Sequence, residues 1–223
     1  MLPDGVPRVP SCMVMGVVNA TPDSFSDGGR LADAGAAAER GRELSRLGAA
    51  IVDVGGESTR PGAAQVTVEE ELARVVPVIE ALAPAPVAIS VDTSKLAVAE
   101  AALAAGATIV NDVTSLRGDP EIAALCAEQG AGLVLVHMRG SPRTMQRSPR
   151  YGDVVAEVRA ALVERVELAV AEGVLEERIW VDPGIGFGKL LGHNLELLRH
   201  LGAFAGIGGG VLVGTSRKSF IGD

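Results

Sequence analysis

The sequence predicts an α/β fold, a (β/α)8 TIM barrel with seven strands present and the eighth missing from this chain. Three observations lead there. Short β-branched runs alternate with Ala/Leu/Glu/Arg-rich stretches of helical spacing, so candidate strands and helices interleave along the chain. The strands are continuously apolar, as strands buried on both faces of a parallel sheet are. Each strand also runs into a polar or charged residue at its carboxyl end: Asn19, Asp53, Asp92, Asn111 with Asp112, His137, Asp182 and Ser216-Arg217-Lys218. A barrel gathers all such ends around one mouth, whereas a doubly wound sheet joins only those at its switch point, so the barrel uses every one of them.

Taken in order, the first strand is expected over Met13–Val18, followed by the polar stretch Asn19–Gly29, whose Asn, Pro, Asp and Gly suit either ordinary turns or a lid over a site. A helix over Ala34–Leu47 ends at Gly48, and a strand over Ala50–Val54 leads into Gly55–Gly62. In that loop the glycines permit close backbone approach and Arg60 can grip a planar anion with two hydrogen bonds, while Asp53 and Glu57 read as scaffold hydrogen-bonders. Helices over Val68–Leu82 and Leu96–Ala105 flank a strand over Val87–Val91, and a strand over Thr108–Asp112 precedes a helix over Pro120–Glu128. The strand Gly132–His137 brings up a histidine that serves equally well as a structural group or a ligand. After a helix over Val154–Glu172 come a strand over Ile179–Asp182, a helix over Leu190–Ala205 and a last strand over Val211–Thr215. Several helices are followed by a C-capping glycine: Gly48, Gly106, Gly130 and Gly173.

Asp92, Asn111 and Asp182 could each merely cap the next helix. Together at one mouth they make an acceptor-rich floor suited to the N–H-rich edge of a heterocycle such as a guanine-like ring, whose donors would relieve the repulsion between the carboxylates. Arg217 and Lys218 stand where a helix N-terminus is expected, and cations there oppose the helix dipole unless an anion binds between them.

The remaining signals exclude more than they add. Twenty Lys and Arg against 28 Asp and Glu give a net charge of −8, with no basic block to neutralise phosphates, so nucleic acid is an unsuitable partner. No apolar run approaches the roughly 18 residues of a membrane span, and Met1–Pro10 lacks the pattern of a secretory signal. A soluble cytoplasmic protein is expected, with Cys12 and Cys126 as buried free thiols. Gly184–Lys189 fits neither the dinucleotide nor the P-loop pattern, the histidines and cysteines lack zinc spacing, and no G-x-S-x-G elbow occurs.

These segments, in this order, resemble the dihydropteroate synthase family, the folate-pathway enzymes that sulfonamides inhibit. The resemblance runs through Met15–Gly29, Asp53–Gly62, Ser90-Val91-Asp92-Thr93, Val110-Asn111-Asp112-Val113, His137-Met138-Arg139-Gly140, Asp182–Lys189 and Ser216–Gly222, nearly the whole chain. It implies a single pterin-binding barrel domain over residues 1–223 and a Mg²⁺-dependent condensation of 6-hydroxymethyl-7,8-dihydropterin pyrophosphate with p-aminobenzoate. By the same resemblance, Asp92, Asn111 and Asp182 hold the pterin and Lys218 meets its carbonyl side, while Asn19 ligates Mg²⁺. Thr59 and Arg60 belong to one substrate loop, Phe25 and Asp27 to another, and Phe187 with Ser219 to the aminobenzoate pocket; Lys218, Arg60 and Asp27 are the catalytic candidates. A homodimer is implied as well.

Two departures stand out. Arg139 replaces a common Gln, and the sequence ends before the family's eighth strand, which carries an Arg and a His for the pyrophosphate. The native protein is therefore expected to be longer by about one β/α unit and a final helix. The competing readings are a methyltetrahydrofolate:corrinoid methyltransferase-type barrel, which shares the Asp/Asn/Asp floor, and a pterin-binding paralogue without turnover.

Overall fold

Parallel strands in strict sequence order carry the architecture. The computed structural model describes residues 12–20, 30–58, 65–140, 144–146, 148–216 and 218, with backbone only over 30–33. The strands are β1 (Met15–Asn19), β2 (Ile51–Gly55), β3 (Ala88–Asp92), β4 (Ile109–Asp112), β5 (Gly132–Val136), β6 (Ile179–Asp182) and β7 (Gly210–Val211). They pair in parallel as β1-β2-β3-β4-β5-β6-β7. No neighbour is out of order, so there is no switch point, and the sheet is a seven-stranded part of a barrel wall.

The helices are α1 (Arg30–Arg46), α2 (Val68–Leu82), α3 (Leu96–Ala104), α4 (Glu121–Gln129), α5 (Val154–Ala171) and α6 (Leu191–Arg199). Their starts follow local chemistry. Thr67 and Glu70 close a reciprocal capping box on α2, and the Asp153 carboxylate caps α5 by accepting from the Ala156 amide. Two elements depart from the sequence pattern: the last strand covers only Gly210–Val211 rather than Val211–Thr215, and α6 stops at Arg199 and yields to a 3₁₀ turn over Leu201–Phe204. Gly202, a poor helix former, lies within that turn, and fully buried Phe204 anchors the segment against the core.

Two cores lie on opposite faces of the wall. Between sheet and helices, Val18, Val52, Val54, Ile89, Val91, Val110, Leu133, Leu135 and Val181 join the helix residues in the main cluster. The alternate strand positions look inward, where Ile109, Val134 and Val136 pack with Ile51, Ala88, Trp180, Phe187 and Leu212. Period-two alternation then assigns the polar residues to faces. Asn19, Asp53, Ser90, Asp92, Asn111 and Asp182 share the inward phase, whereas Asp112 faces the helices.

The expectation for the two thiols needs correcting. Cys126 on α4 is buried and its thiol is pushed up to about 12 by that burial, but Cys12 is exposed because it precedes β1 and no described element covers it. At the same edge Val14 and Val17 are also exposed. No helix among the described residues is long and apolar enough to cross a membrane.

Candidate active site

Strand register sets the level at which the polar side chains meet. Asn19 pairs with Gly55, Gly55 with Asp92 and Asp92 with Asn111, so these positions form one rung across β1 to β4 at the carboxyl end. Directly below, Asp53 pairs with Ser90. Asp182 closes the group from β6, opposite Val136 of β5. The structure therefore gathers Asn19, Asp92, Asn111 and Asp182 at one mouth, with Asp53 and Ser90 beneath.

The floor beneath this mouth is short of partners. Asn111 donates from Nδ2 to Asp53 Oδ2 at 3.2 Å, but Asn111 Oδ1, Asp53 Oδ1 and Ser90 Oγ are buried without any. A buried polar atom left unpaired costs on the order of 1–3 kcal/mol, so three together mark a place where something else is meant to bind. The carboxylates show the same deficit. Burial pushes Asp92 well above the usual carboxylate range, and the negative charges of Asp53 and Glu71 push it the same way. Asp53 is raised by burial as well, partly opposed by the neighbouring Ser90 hydroxyl and then by Asn111. Asp182 is raised to about 6 by burial, although the Gly184 amide donates to its Oδ1 at 2.6 Å and Lys189 and Lys218 lie nearby. A ligand bearing several N–H donors would reverse each of these penalties.

On the far side of the mouth, the Lys218 ammonium sits 4.3 Å from the centroid of the Phe187 ring, a cation–π contact. Burial lowers the Lys218 ammonium, with Asp182 opposing. Gly186 makes this approach possible: a Cβ there would lie 3.0 Å from Lys218 Cδ, at a φ of +84° that side chains seldom adopt.

Sequence reasoning passed over a second constellation, centred on Lys189. Its side chain is 3 % exposed, and Nζ lies 3.0 Å from His137 Nδ1, the Gly184 carbonyl and the Phe187 carbonyl, and 3.2 Å from the His137 carbonyl. Burial lowers the ammonium to about 7, with Asp182 opposing, and burial lowers the His137 imidazolium to about 3, so that ring is neutral and can accept from Lys189. The signal was a lone lysine between a glycine-rich turn and Leu190-Leu191, a setting too apolar for a solvated charge.

Lys95 was missed too. Its ammonium joins Glu57 at 2.5 Å and the buried Glu71, and Arg74 donates to the Gly56 carbonyl at 2.8 Å. These bonds fix the start of the loop after β2. Glu57 and Asp53 are hydrogen-bonded within the scaffold, as their sequence context suggested. Thr59, Arg60, Phe25, Asp27 and Ser219 lie outside the described residues, as does Arg217.

Comparison with known proteins agrees with this geometry. The family described as "Pterin binding enzyme" matches residues 15–223. A dihydropteroate synthase of Synechocystis is 47% identical over 210 residues, covering 94% of this chain and 73% of that protein. The solved Xanthomonas albilineans dihydropteroate synthase with 4-aminobenzoic acid superposes with a TM-score of 0.86 at 49% identity, covering 94% of this chain and 75% of the other. A structure of the Xanthomonas enzyme in complex with 7,8-dihydropteroate gives a TM-score of 0.82 at 46% identity over 94% and 74% of the two chains.

Proposed function

The chain belongs to the dihydropteroate synthase family of pterin-binding enzymes, and on that premise we propose how its residues divide the work of joining 6-hydroxymethyl-7,8-dihydropterin pyrophosphate to p-aminobenzoate. The observation that carries the assignment is the floor: inward-facing acceptors with buried oxygens left unpaired. Asp92, Asn111 and Asp182 accept from the N–H edge of the pterin, and Lys218 donates to its carbonyl side. Phe187 and Ser219 line the aminobenzoate pocket, while Thr59, Arg60, Phe25 and Asp27 approach from the loops after β2 and β1.

The chemistry follows from the substrates. The aniline nitrogen is neutral near pH 7 and needs no base to become a nucleophile. It forms a bond to the pterin methylene as the C–O bond to pyrophosphate breaks, and the nitrogen then gives up a proton to solvent. The difficult event is departure of the pyrophosphate, so Lys218 at the mouth, and Arg60 by the family's pattern, matter more than any nucleophilic side chain. Asp182 and Asp92 also favour positive charge developing on the pterin.

Mg²⁺ is part of the proposal. Asn19 offers a hard amide oxygen at an exposed point of the mouth, and no group of three His, Cys, Asp or Glu with metal-holding geometry occurs among the described residues. That donor set fits a cation that keeps several waters and takes its remaining ligands from phosphate oxygens. When bound, Mg²⁺ supplies charge neutralisation to the leaving group.

We also infer one pterin-binding barrel domain over residues 1–223, a cytoplasmic setting and a homodimer. The dimer is supported by exposed Leu191 and Leu195, one turn apart on the same face of α6, and sedimentation velocity tests it. The decisive assay is dihydropteroate formation from the two substrates with and without Mg²⁺. Turnover that needs Mg²⁺ supports the reading. Pterin binding without product defeats it in favour of a binding module, and methyl transfer to a corrinoid protein defeats it in favour of the other barrel.

A further inference from the structure

Lysine is almost never buried unless an acid pairs with it, yet among the described residues no carboxylate hydrogen-bonds the ammonium of Lys189. Its acceptors are three backbone carbonyls and one imidazole nitrogen, contributed by the end of β5 (His137) and by the loop after β6 (Gly184 and Phe187). An ammonium has three protons for these four acceptors, so the loop is wrapped around the charge. Among the described residues, three neutral side chains also bond the loop from outside. Gln146 Nε2 donates to the Gly186 carbonyl at 2.7 Å, the Tyr151 hydroxyl donates to the Gly188 carbonyl at 3.0 Å, and Asn194 Oδ1 accepts from the Gly186 amide at 2.8 Å. Gly184, at φ +69°, leaves no room between this loop and β5: a Cβ there would fall 1.9 Å from the His137 carbonyl oxygen.

We propose that Lys189 is a positioning residue for the second substrate: its buried ammonium holds the loop after β6 against the end of β5, so that Phe187 and the Lys218 stacked on it present one fixed surface. The inference rests on the assignment of Phe187 to the aminobenzoate pocket. It goes further in giving that pocket a buried, hydrogen-bonding internal support that touches neither substrate. Without the ammonium, the carbonyls of His137, Gly184 and Phe187 lose this donor inside a loop that cannot reach water without moving. The Phe187 ring then loses its set position, and with it the Lys218 contact at 4.3 Å.

The test is Lys189→Met, which keeps much of the bulk and removes the donors. Expected is a rise in KM for p-aminobenzoate of about tenfold or more, with kcat falling by less than about threefold and the affinity for a pterin lacking pyrophosphate nearly unchanged in calorimetry. Hydrogen exchange followed by mass spectrometry gives a readout besides activity: amides of 184–188 exchange faster while those of β4 and β5 keep their protection. An unchanged KM, or parallel losses in KM, kcat and pterin affinity, overturns the proposal.

Should Lys189→Met fail to fold, Gln146→Ala decides, because removing that exposed side chain loosens the same loop from outside. It should raise the aminobenzoate KM by about two- to fivefold at an unaltered melting temperature, and no change in KM overturns the proposal. A wild-type chain that makes no dihydropteroate defeats the functional reading instead. The exchange experiment then judges Lys189 alone: unaltered protection of 184–188 refutes its structural part, and faster exchange supports it.

Discussion

The floor under β2 to β4 and the loop after β6 use the same kinds of polar group in opposite ways. In the loop, Lys189 has four acceptors, and the Gly186 amide and the Gly186 and Gly188 carbonyls are each bonded by a side chain. In the floor, Asp53 Oδ1, Ser90 Oγ and Asn111 Oδ1 are just as buried and have none. Folding alone would have paired both. Paired polar groups in this molecule hold shape, and unpaired ones wait for a ligand, so the two kinds of residue should fail differently when changed.

The largest effect is expected at the mouth itself. Asp92→Asn or Asp182→Asn should weaken binding of a pterin by about 2–4 kcal/mol, because a donor-rich edge loses a charged acceptor and meets an amide N–H. The fold should tolerate either change, since both carboxyls are held above their usual range in the free protein. Calorimetry together with urea melts checks the pair of outcomes. Near-normal affinity in both variants would erase the contrast between floor and scaffold.

Asp112 is the matching control. It neighbours Asn111 in sequence but faces the helices, where its carboxylate accepts from the Leu116 amide at 2.6 Å, the Thr114 amide at 2.8 Å and the Thr114 hydroxyl at 2.7 Å. Asp112→Asn should cost the fold about 1–3 kcal/mol while pterin affinity holds, the reverse of Asp182→Asn. A variant as stable as wild type would show that this pairing contributes little.

The contrast also shows which features were legible in the sequence. Strand order, the six helices and the level of the mouth follow from alternation and from polar residues at strand ends, because burial on both sheet faces leaves a strong periodic trace. Asn111 reads into the floor and Asp112 does not, although both end the same strand; register supplies the reason, since one faces inward and the other outward. Lys189 and Lys95 were missed for another reason. Their partners, His137, Glu57 and Glu71, lie 24 to 52 positions away along the chain, and no local pattern encodes such pairings. Phe25, Asp27, Thr59, Arg60 and Ser219 stand on the resemblance alone, for they fall outside the described residues.

Proton linkage sharpens the comparison at lower cost. Burial raises Asp182 to about 6, so ionising it in the free protein is unfavourable, and its contribution to stability, full below about 4, is lost as pH rises through 6. Pterin binding carries the opposite sign, since the ligand favours the ionised acceptor. Affinity should therefore climb by up to about tenfold per unit of pH below 6 and flatten above it. Asp182→Asn should remove that break. A break that persists in the variant would move the titration to another group, with Asp92 the first candidate.

The smallest predicted effect belongs to Asn19, which shares its rung with Asp92 and Asn111 but not their burial. Its amide contributes at most one neutral oxygen to a cation that draws its other ligands from water and phosphate, so losing it cannot abolish metal binding. Asn19→Ala should raise the Mg²⁺ concentration for half-maximal turnover by about three- to tenfold, with a loss of rate that excess Mg²⁺ largely restores. A pterin lacking the pyrophosphate should bind the variant as it binds wild type, because that ligand brings no phosphate for the metal to bridge. If affinity for this pterin falls in step with the Mg²⁺ response, Asn19 belongs with the floor. An unaltered Mg²⁺ requirement would mean that the cation is held elsewhere on the mouth and that this rung ends functionally at Asp92.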